Sequence, residues 1–241
     1  MAIGNVTTDS FYAPSRLADN RQLLHWAQRS LDEGADILDI GACSTRPGST
    51  PVSEDEEWRR LASALEAIRS EFPDTPLSVD TFRPGIAARA LESFGPLTVN
   101  DISGGCDEMF GLVRKWSVPY IWTLRGDYDL PARHPEWNDI HLILDPGFGF
   151  IGSAEKDYDA LRRLDELQRY NRPILVGVSR KSMIYKPLGL TPEEVLTPTQ
   201  AIHLYALEHG AGILRTHDVA ATRQIVTLWE HLSRPQNHES Q

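Results

Sequence analysis

Ile174-Leu175-Val176-Gly177-Val178-Ser179-Arg180-Lys181-Ser182 begins as an apolar run and stops in two cations set between serines. A run of that length, rich in leucine and β-branched residues, reads as a strand buried on both faces, the kind found in parallel sheets. Taken alone, Arg180 and Lys181 would be the solvated start of a loop. The same event, an apolar strand ending in charge, recurs along most of the chain, and the recurrence decides the fold.

Upstream, Met1–Val6 is short and apolar. A polar loop leads from it into a helix over Asn20–Glu33, where Leu23, Leu24, Ala27 and Leu31 share a face and Gly34 is a natural stop. Asp36–Ile40 reads as a strand, and the loop Gly41–Ser53 follows it. Ser53 is placed to cap the next helix, with the acidic run Glu54–Glu57 on its positive end. The alternation continues through strands at Leu77–Asp80, Leu97–Val99, Pro119–Thr123 and His141–Leu144. Helices are expected at Pro84–Ser93, Asp107–Trp116 and Glu155–Tyr170. After Ile174–Val178 come two helical pieces divided around Pro198, a strand at Gly212–Thr216 and a last helix over Ala220–Leu232. Eight strands alternating with helices in a chain of 241 residues predict an α/β fold, a closed (β/α)8 barrel. The helix after the fifth strand is expected to be short or absent, since Leu124–Asp139 is irregular. An open doubly wound sheet would carry a glycine-rich first turn, and none is present. One domain over residues 1–233 is expected, with 234–241 a frayed tail.

The net charge of −10 argues against a nucleic-acid-binding surface while allowing a local cationic site for a small anion. Cys43 and Cys106 lie far apart and outside any CxxC, so neither a disulfide framework nor a zinc site is expected. No leader peptide or membrane span is read, and the expected compartment is the cytoplasm.

In a barrel of this type the chemistry gathers where strands end. The strand ends supply Asn5, then Thr45 and Arg46, Asp80, Asn100 with Asp101, Asp145, Arg180 with Lys181, and Arg215 with His217. Any one of them could be a cap or a satisfied core group. Seven strand ends converging on one mouth are not explained that way. Asp80, Asn100 and Asp145 suit a flat heterocycle whose amino group and ring N–H present two parallel donors to a carboxylate. Arg46, Arg180, Lys181, Arg215 and His217 suit an anion, and the start of the last helix adds anion affinity.

In order, the chain carries Asn-Val-Thr-x-Asp-Ser-Phe (Asn5–Phe11), Asp-Ile-Gly-x-x-Ser-Thr-Arg-Pro-Gly (Asp39–Gly48), Ser-Val-Asp-Thr (Ser78–Thr81) and Val-Asn-Asp-Ile (Val99–Ile102). Asp-Pro-Gly-Phe-Gly-Phe (Asp145–Phe150), Gly-Val-Ser-Arg-Lys-Ser (Gly177–Ser182) and Arg-Thr-His-Asp-Val (Arg215–Val219) follow. This ordered set, spread over almost the whole chain, resembles the dihydropteroate synthases. The resemblance implies a TIM barrel that joins 6-hydroxymethyl-7,8-dihydropterin pyrophosphate to 4-aminobenzoate, giving dihydropteroate and pyrophosphate in folate synthesis. It implies that Asp80, Asn100, Asp145 and Lys181 hold the pterin, and that Arg215, Thr216 and His217 meet the pterin face and the pyrophosphate. By the same resemblance Asn5 binds Mg²⁺. Thr45, Arg46 and Pro47 belong to a loop over the second substrate, and Phe150 and Ser182 frame the aminobenzoate. Lys181, Arg215, His217 and Asp80 are the expected catalytic groups. A homodimer through the late helices and a role as a sulfonamide target are also implied; Tyr205 and Trp229 could serve either that interface or the barrel wall. The chain departs from the pattern at Thr8, where proline is usual, and at Ile121-Trp122-Thr123-Leu124, where a histidine is missing and Trp122 is expected to wall the pterin pocket. Two other readings use the same residues: a pterin-binding descendant without turnover, and a methyltransferase that moves a methyl group from methyltetrahydrofolate to a corrinoid. The second has no use for Ser179-Arg180-Lys181 or for Arg215 and His217.

Overall fold

The computed structural model describes residues 1–6, 20–43 and 52–233. Strands β1 (Ala2–Asn5), β2 (Leu38–Gly41), β3 (Leu77–Asp80), β4 (Thr98–Asp101), β5 (Tyr120–Thr123) and β6 (Leu142–Asp145) form a parallel sheet in sequence order. Strands β7 (Leu175–Val176) and β8 (Ile213–Leu214) pair with each other. Bridges from Leu144 to Ile174 and from Ala2 to Thr216 join the two sheets at both seams, so the barrel closes. The fold is the (β/α)8 barrel expected from the alternation, and closure leaves no sheet edge to protect.

Residues that pair across parallel strands point to the same face. Asn5, Gly41, Asp80, Asn100, Ile121 and Ile143 are successive register partners and form one such set. Ile121 packs with Met1, Leu175, Ile37, Ile143 and Ile213 in a small cluster of its own, the apolar floor inside the barrel. The alternate residues, among them Leu38, Ile40, Val79, Val99, Tyr120, Trp122, Leu144 and Val176, join the large cluster between barrel and helices. Inward positions above the floor are therefore mostly polar, and outward positions are apolar with the exception of Asp101.

The helices follow the sequence closely. They are α1 (Asn20–Asp32), α2 (Glu54–Glu71), α3 (Pro84–Phe94), α4 (Asp107–Trp116), α5 (Leu130–Arg133), α6 (Ala154–Arg162), α7 (Ser182–Leu188), α8 (Leu196–Glu208) and α9 (Val219–Ser233). Ser53 caps α2, its hydroxyl accepting from the Glu56 N–H at 3.3 Å. Two expectations need correction. Pro198 does not divide the pieces after β7; it sits in the first turn of α8, where a missing N–H costs nothing. The helix expected over Glu155–Tyr170 is α6 followed by a 3-10 segment, Leu164–Tyr170.

The fifth crossover is short, as expected: the four-residue α5 and a 3-10 turn at Pro135–Trp137. Aromatic rings fill the space that a longer helix would cover. The Trp137 ring stacks on Phe110 of α4 with centroids 3.5 Å apart and on His134 at 4.1 Å. Trp122 meets Phe110 edge-on at 5.3 Å and Trp137 at 4.9 Å. Trp122 is therefore no wall of the pterin pocket. It faces out of the barrel because Ile121 and Thr123, on either side of it, face in. Its ring is fully buried, and its indole N–H donates to the Gly104 carbonyl at 2.7 Å. Arg114 locks the crossover onto α4 through Asp139 (2.8 and 3.0 Å) and the Glu136 carbonyl (2.8 Å).

Candidate active site

The polar inner face collects at the C-terminal mouth. Arg215 is the hub. Its Nε donates to Asp39 Oδ2 at 2.7 Å, and its Nη2 donates to Asp80 Oδ2 at 2.7 Å while lying 2.6 Å from the same Asp39 oxygen. The Asn100 amide also donates to Asp39 Oδ2, at 3.2 Å. Strands β2, β3, β4 and β8 thus put four side chains in one contact network. Glycine makes room for it: a Cβ at Gly41 would stand 3.3 Å from the Asp80 Cβ.

On the far side of the mouth, Asp145 accepts from the Gly147 N–H at 2.9 Å and from the Thr123 hydroxyl at 3.3 Å. Gly147 has a φ of 86°, and a Cβ there would lie 2.8 Å from Thr123 Cγ2, so only glycine allows this turn. Lys181 donates to the Phe148 carbonyl, and its ammonium sits 5.0 Å from the centre of the Phe150 ring. Ser182 opens α7 directly behind it.

Burial dominates the electrostatics. Desolvation raises the Asp80 carboxyl to about 7; Arg215 opposes the shift, while Asp39, Asp101 and Glu57 reinforce it. Asp145 is raised for the same first reason, against the pull of Lys181 and the Gly147 N–H. Desolvation lowers the Lys181 ammonium to about 8, with Asp145 the main opposing charge. A ligand that brought N–H donors to these carboxylates would restore the ionised form.

The other expected residues have distinct fates. Asp101, beside Asn100, points outward: it accepts from the Tyr120 hydroxyl at 2.8 Å and from the Ser103 N–H at 2.7 Å, and is structural. Arg180, with φ of 56°, turns from the pocket into a bidentate pair with Asp218 at 2.9 and 2.6 Å. The Thr216 hydroxyl is engaged by Thr222 and by the Asp218 N–H, both at 3.0 Å. The His217 N–H donates to the Ser179 hydroxyl at 3.2 Å, which fixes the backbone at the entry to α9. Asn5 ends β1 on the inner face, paired in register with Gly41. Thr45, Arg46 and Pro47 lie outside the described residues, as do residues 234–241. Asp39 is the residue that sequence reasoning missed. It stands one turn of the pleat below the strand end, and the available signal was an acid at an inward position of a strand with apolar neighbours.

The family model for pterin binding enzymes matches residues 1–129 and 132–217. The dihydropteroate synthase of Synechocystis is 36% identical, over 97% of this chain and 90% of its own length. That of Escherichia coli is 32% identical, over 95% and 90%. Among solved structures, the Yersinia pestis dihydropteroate synthase with a sulfonamide drug superposes with a TM-score of 0.87 at 32% identity, over 96% of this chain and 93% of that one. The Thermus thermophilus enzyme in complex with 4-aminobenzoate gives 0.82 at 33%, over 96% and 93%. Fold, ordered motifs and relatives agree, and the chain belongs to the dihydropteroate synthases, transferases of the pterin-binding enzyme family.

Proposed function

We propose that Asp80, Asn100, Asp145 and Lys181 hold the pterin of the pyrophosphate substrate, with Arg215 along its face and reaching, together with His217, to the pyrophosphate. The observation that carries this reading is the Arg215 hub, a cation held rigidly between two carboxylates at the centre of the mouth. Asp80 and Asp145 on opposite sides suit the amino group and ring N–H of the pterin, and Lys181 complements an acceptor edge. Phe150 and Ser182 frame the aminobenzoate, and the Thr45–Pro47 stretch contributes to the same subsite. The relatives crystallised with 4-aminobenzoate and with a sulfonamide support an aryl-amine subsite here too.

The aryl amine is a weak nucleophile, so the site works mainly on the leaving group. Arg215 and His217 stabilise charge developing on the pyrophosphate. The C–O bond breaks ahead of attack, and Asp80 and Asp145 stabilise the cationic pterin methylene. The amine then adds and loses its proton. Among the described residues no group of three or more His, Cys, Asp or Glu forms a metal cage. Mg²⁺ takes hard oxygen ligands, keeping several waters and relying on few protein ligands beside substrate phosphates. The Asn5 carbonyl, on the inner face at the end of β1, is the protein oxygen that would hold it. The ion would supply further neutralisation of the pyrophosphate.

One domain over residues 1–233 carries the activity. We place the protein in the cytoplasm, where Cys43 and Cys106, which form no disulfide, suit a reducing environment. No helix among the described residues is long and apolar enough to cross a membrane. Tyr205, Leu228 and Leu232 are exposed on α8 and α9 and support a homodimer through that face. The deciding experiment is pyrophosphate release that requires both aminobenzoate and Mg²⁺. Folded protein that binds the pterin pyrophosphate and releases none would overturn the assignment.

A further inference from the structure

We propose that Asp39 is a positioning residue of the site, acting through Arg215 and, to a lesser extent, through Asn100. This inference rests on the reading of those two side chains as substrate-holding groups. Asp39 is fully buried on the inner face of β2, and its side-chain contacts run to Arg215 and Asn100. Its Oδ2 receives Arg215 Nε at 2.7 Å, lies 2.6 Å from Arg215 Nη2, and receives the Asn100 amide at 3.2 Å. Its Oδ1 meets no protein donor. A carboxylate placed for its own satisfaction would divide its donors between both oxygens. Here one oxygen gathers them all, which is what orienting two neighbours requires.

The donor count gives the consequence. A guanidinium has five N–H groups in one plane. Asp39 takes the Nε edge and, with Asp80, occupies Nη2, so the plane is fixed and Nη1 is left for substrate. Likewise one Asn100 N–H is held by Asp39, which stops the amide from flipping. The carbonyl oxygen and the second N–H remain for the pterin edge. An Asn at position 39 would keep the volume, lose the charge and offer Asn100 a competing amide.

Asp39→Asn should therefore raise KM for the pterin pyrophosphate roughly tenfold and lower kcat roughly tenfold, while KM for aminobenzoate stays within about twofold. A purely structural role would reduce the yield of folded enzyme and leave that split unmade. The second measurement is a cycle with Arg215→Gln: in that background Asp39→Asn should cost no more than about fivefold in kcat/KM, the share that runs through Asn100. A loss of the same hundredfold order in both backgrounds, or unchanged pterin kinetics in Asp39→Asn, overturns the proposal. Should Asp39→Asn alone fail to fold, the double variant, which leaves no buried cation unpaired, is compared with Arg215→Gln by the same fivefold criterion. If Arg215→Gln itself turns over normally, the substrate-holding reading fails instead, and the two failures are told apart.

Discussion

Trp122 and Thr123 are neighbours in β5 and belong to two different regions. The Thr123 hydroxyl points into the mouth and bonds Asp145; the Trp122 ring points out and packs into the fifth crossover. In the mouth, charged groups are buried at a cost that contact with a substrate would offset. In the crossover, rings replace the missing length of helix and bury apolar surface, with one indole N–H satisfied. Strand alternation alone separates the two, so substitutions one residue apart should report on different properties.

The largest effect is expected at the mouth. Lys181→Ala should lower kcat/KM by a factor of about 10²–10³, roughly 3–4 kcal/mol of transition-state stabilisation. The cooperative thermal transition should survive, since Lys181 packs no part of either apolar cluster. Steady-state kinetics beside a melting curve check this. A variant that unfolds while its remaining native fraction works normally would move Lys181 into the structural region.

Trp122→Ala should show the reverse. Removing a fully buried ring from a stacked cluster costs about 3–5 kcal/mol. For a chain of this size that is a drop in Tm of the order of 10 °C. The kcat/KM of the folded fraction should stay within about threefold of the parent. A catalytic loss comparable to that of Lys181→Ala, without a stability loss, would mean that the crossover shapes the pocket after all.

The mouth was more legible in the sequence than the crossover, for a physical reason. An acid or a cation at the end of an apolar run stands out, so Asp80, Asn100, Asp145, Lys181 and Arg215 could be read, and the structure brings them together. Arg180 and Lys181 are adjacent and turn apart: Lys181 reaches the Phe148 carbonyl at the mouth, while Arg180 pairs with Asp218. Asp39 was lost because it sits two residues before the strand end, where a charge reads as strand amphipathicity. Trp122 was misplaced because its neighbourhood was judged by motif position and not by the parity that puts Thr123 inside. The short fifth helix was visible in the irregular stretch after Thr123. The ring stack that replaces it was not, because Phe110, His134 and Trp137 come together only in three dimensions.

The pH profile sharpens the contrast. Asp80, raised to about 7, must be ionised to accept from the pterin, so binding weakens as pH falls through that value. Lys181, lowered to about 8, must be protonated, so binding weakens as pH rises through that value. The kcat/KM for the pterin pyrophosphate, which reports the free enzyme, should be a narrow bell between the two. Lys181→Arg should move the alkaline limb out of range. Trp122→Phe should leave both limbs in place, and a shifted limb in that variant would break the separation of the regions.

The smallest effect falls on the boundary itself. Thr123→Val keeps the β-branch and the strand and removes only the hydroxyl that reaches Asp145 at 3.3 Å. A bond of that length is weak, and its loss is worth about 1 kcal/mol, or roughly fivefold in KM for the pterin pyrophosphate. The direction in Asp145 follows from the sign of the contact: the hydroxyl favours the carboxylate, so without it the Asp145 carboxyl, already raised by burial, rises further. That adds to the loss of pterin binding, while the two limbs set by Asp80 and Lys181 should stay in place. Tm should change little, because the valine methyl replaces the hydroxyl at an inward position where the Gly147 turn already packs against Cγ2. If Thr123→Val instead loses stability on the scale of Trp122→Ala and keeps its KM, then Thr123 belongs to the packing layer, and the line between the regions runs above Asp145 and not between residues 122 and 123.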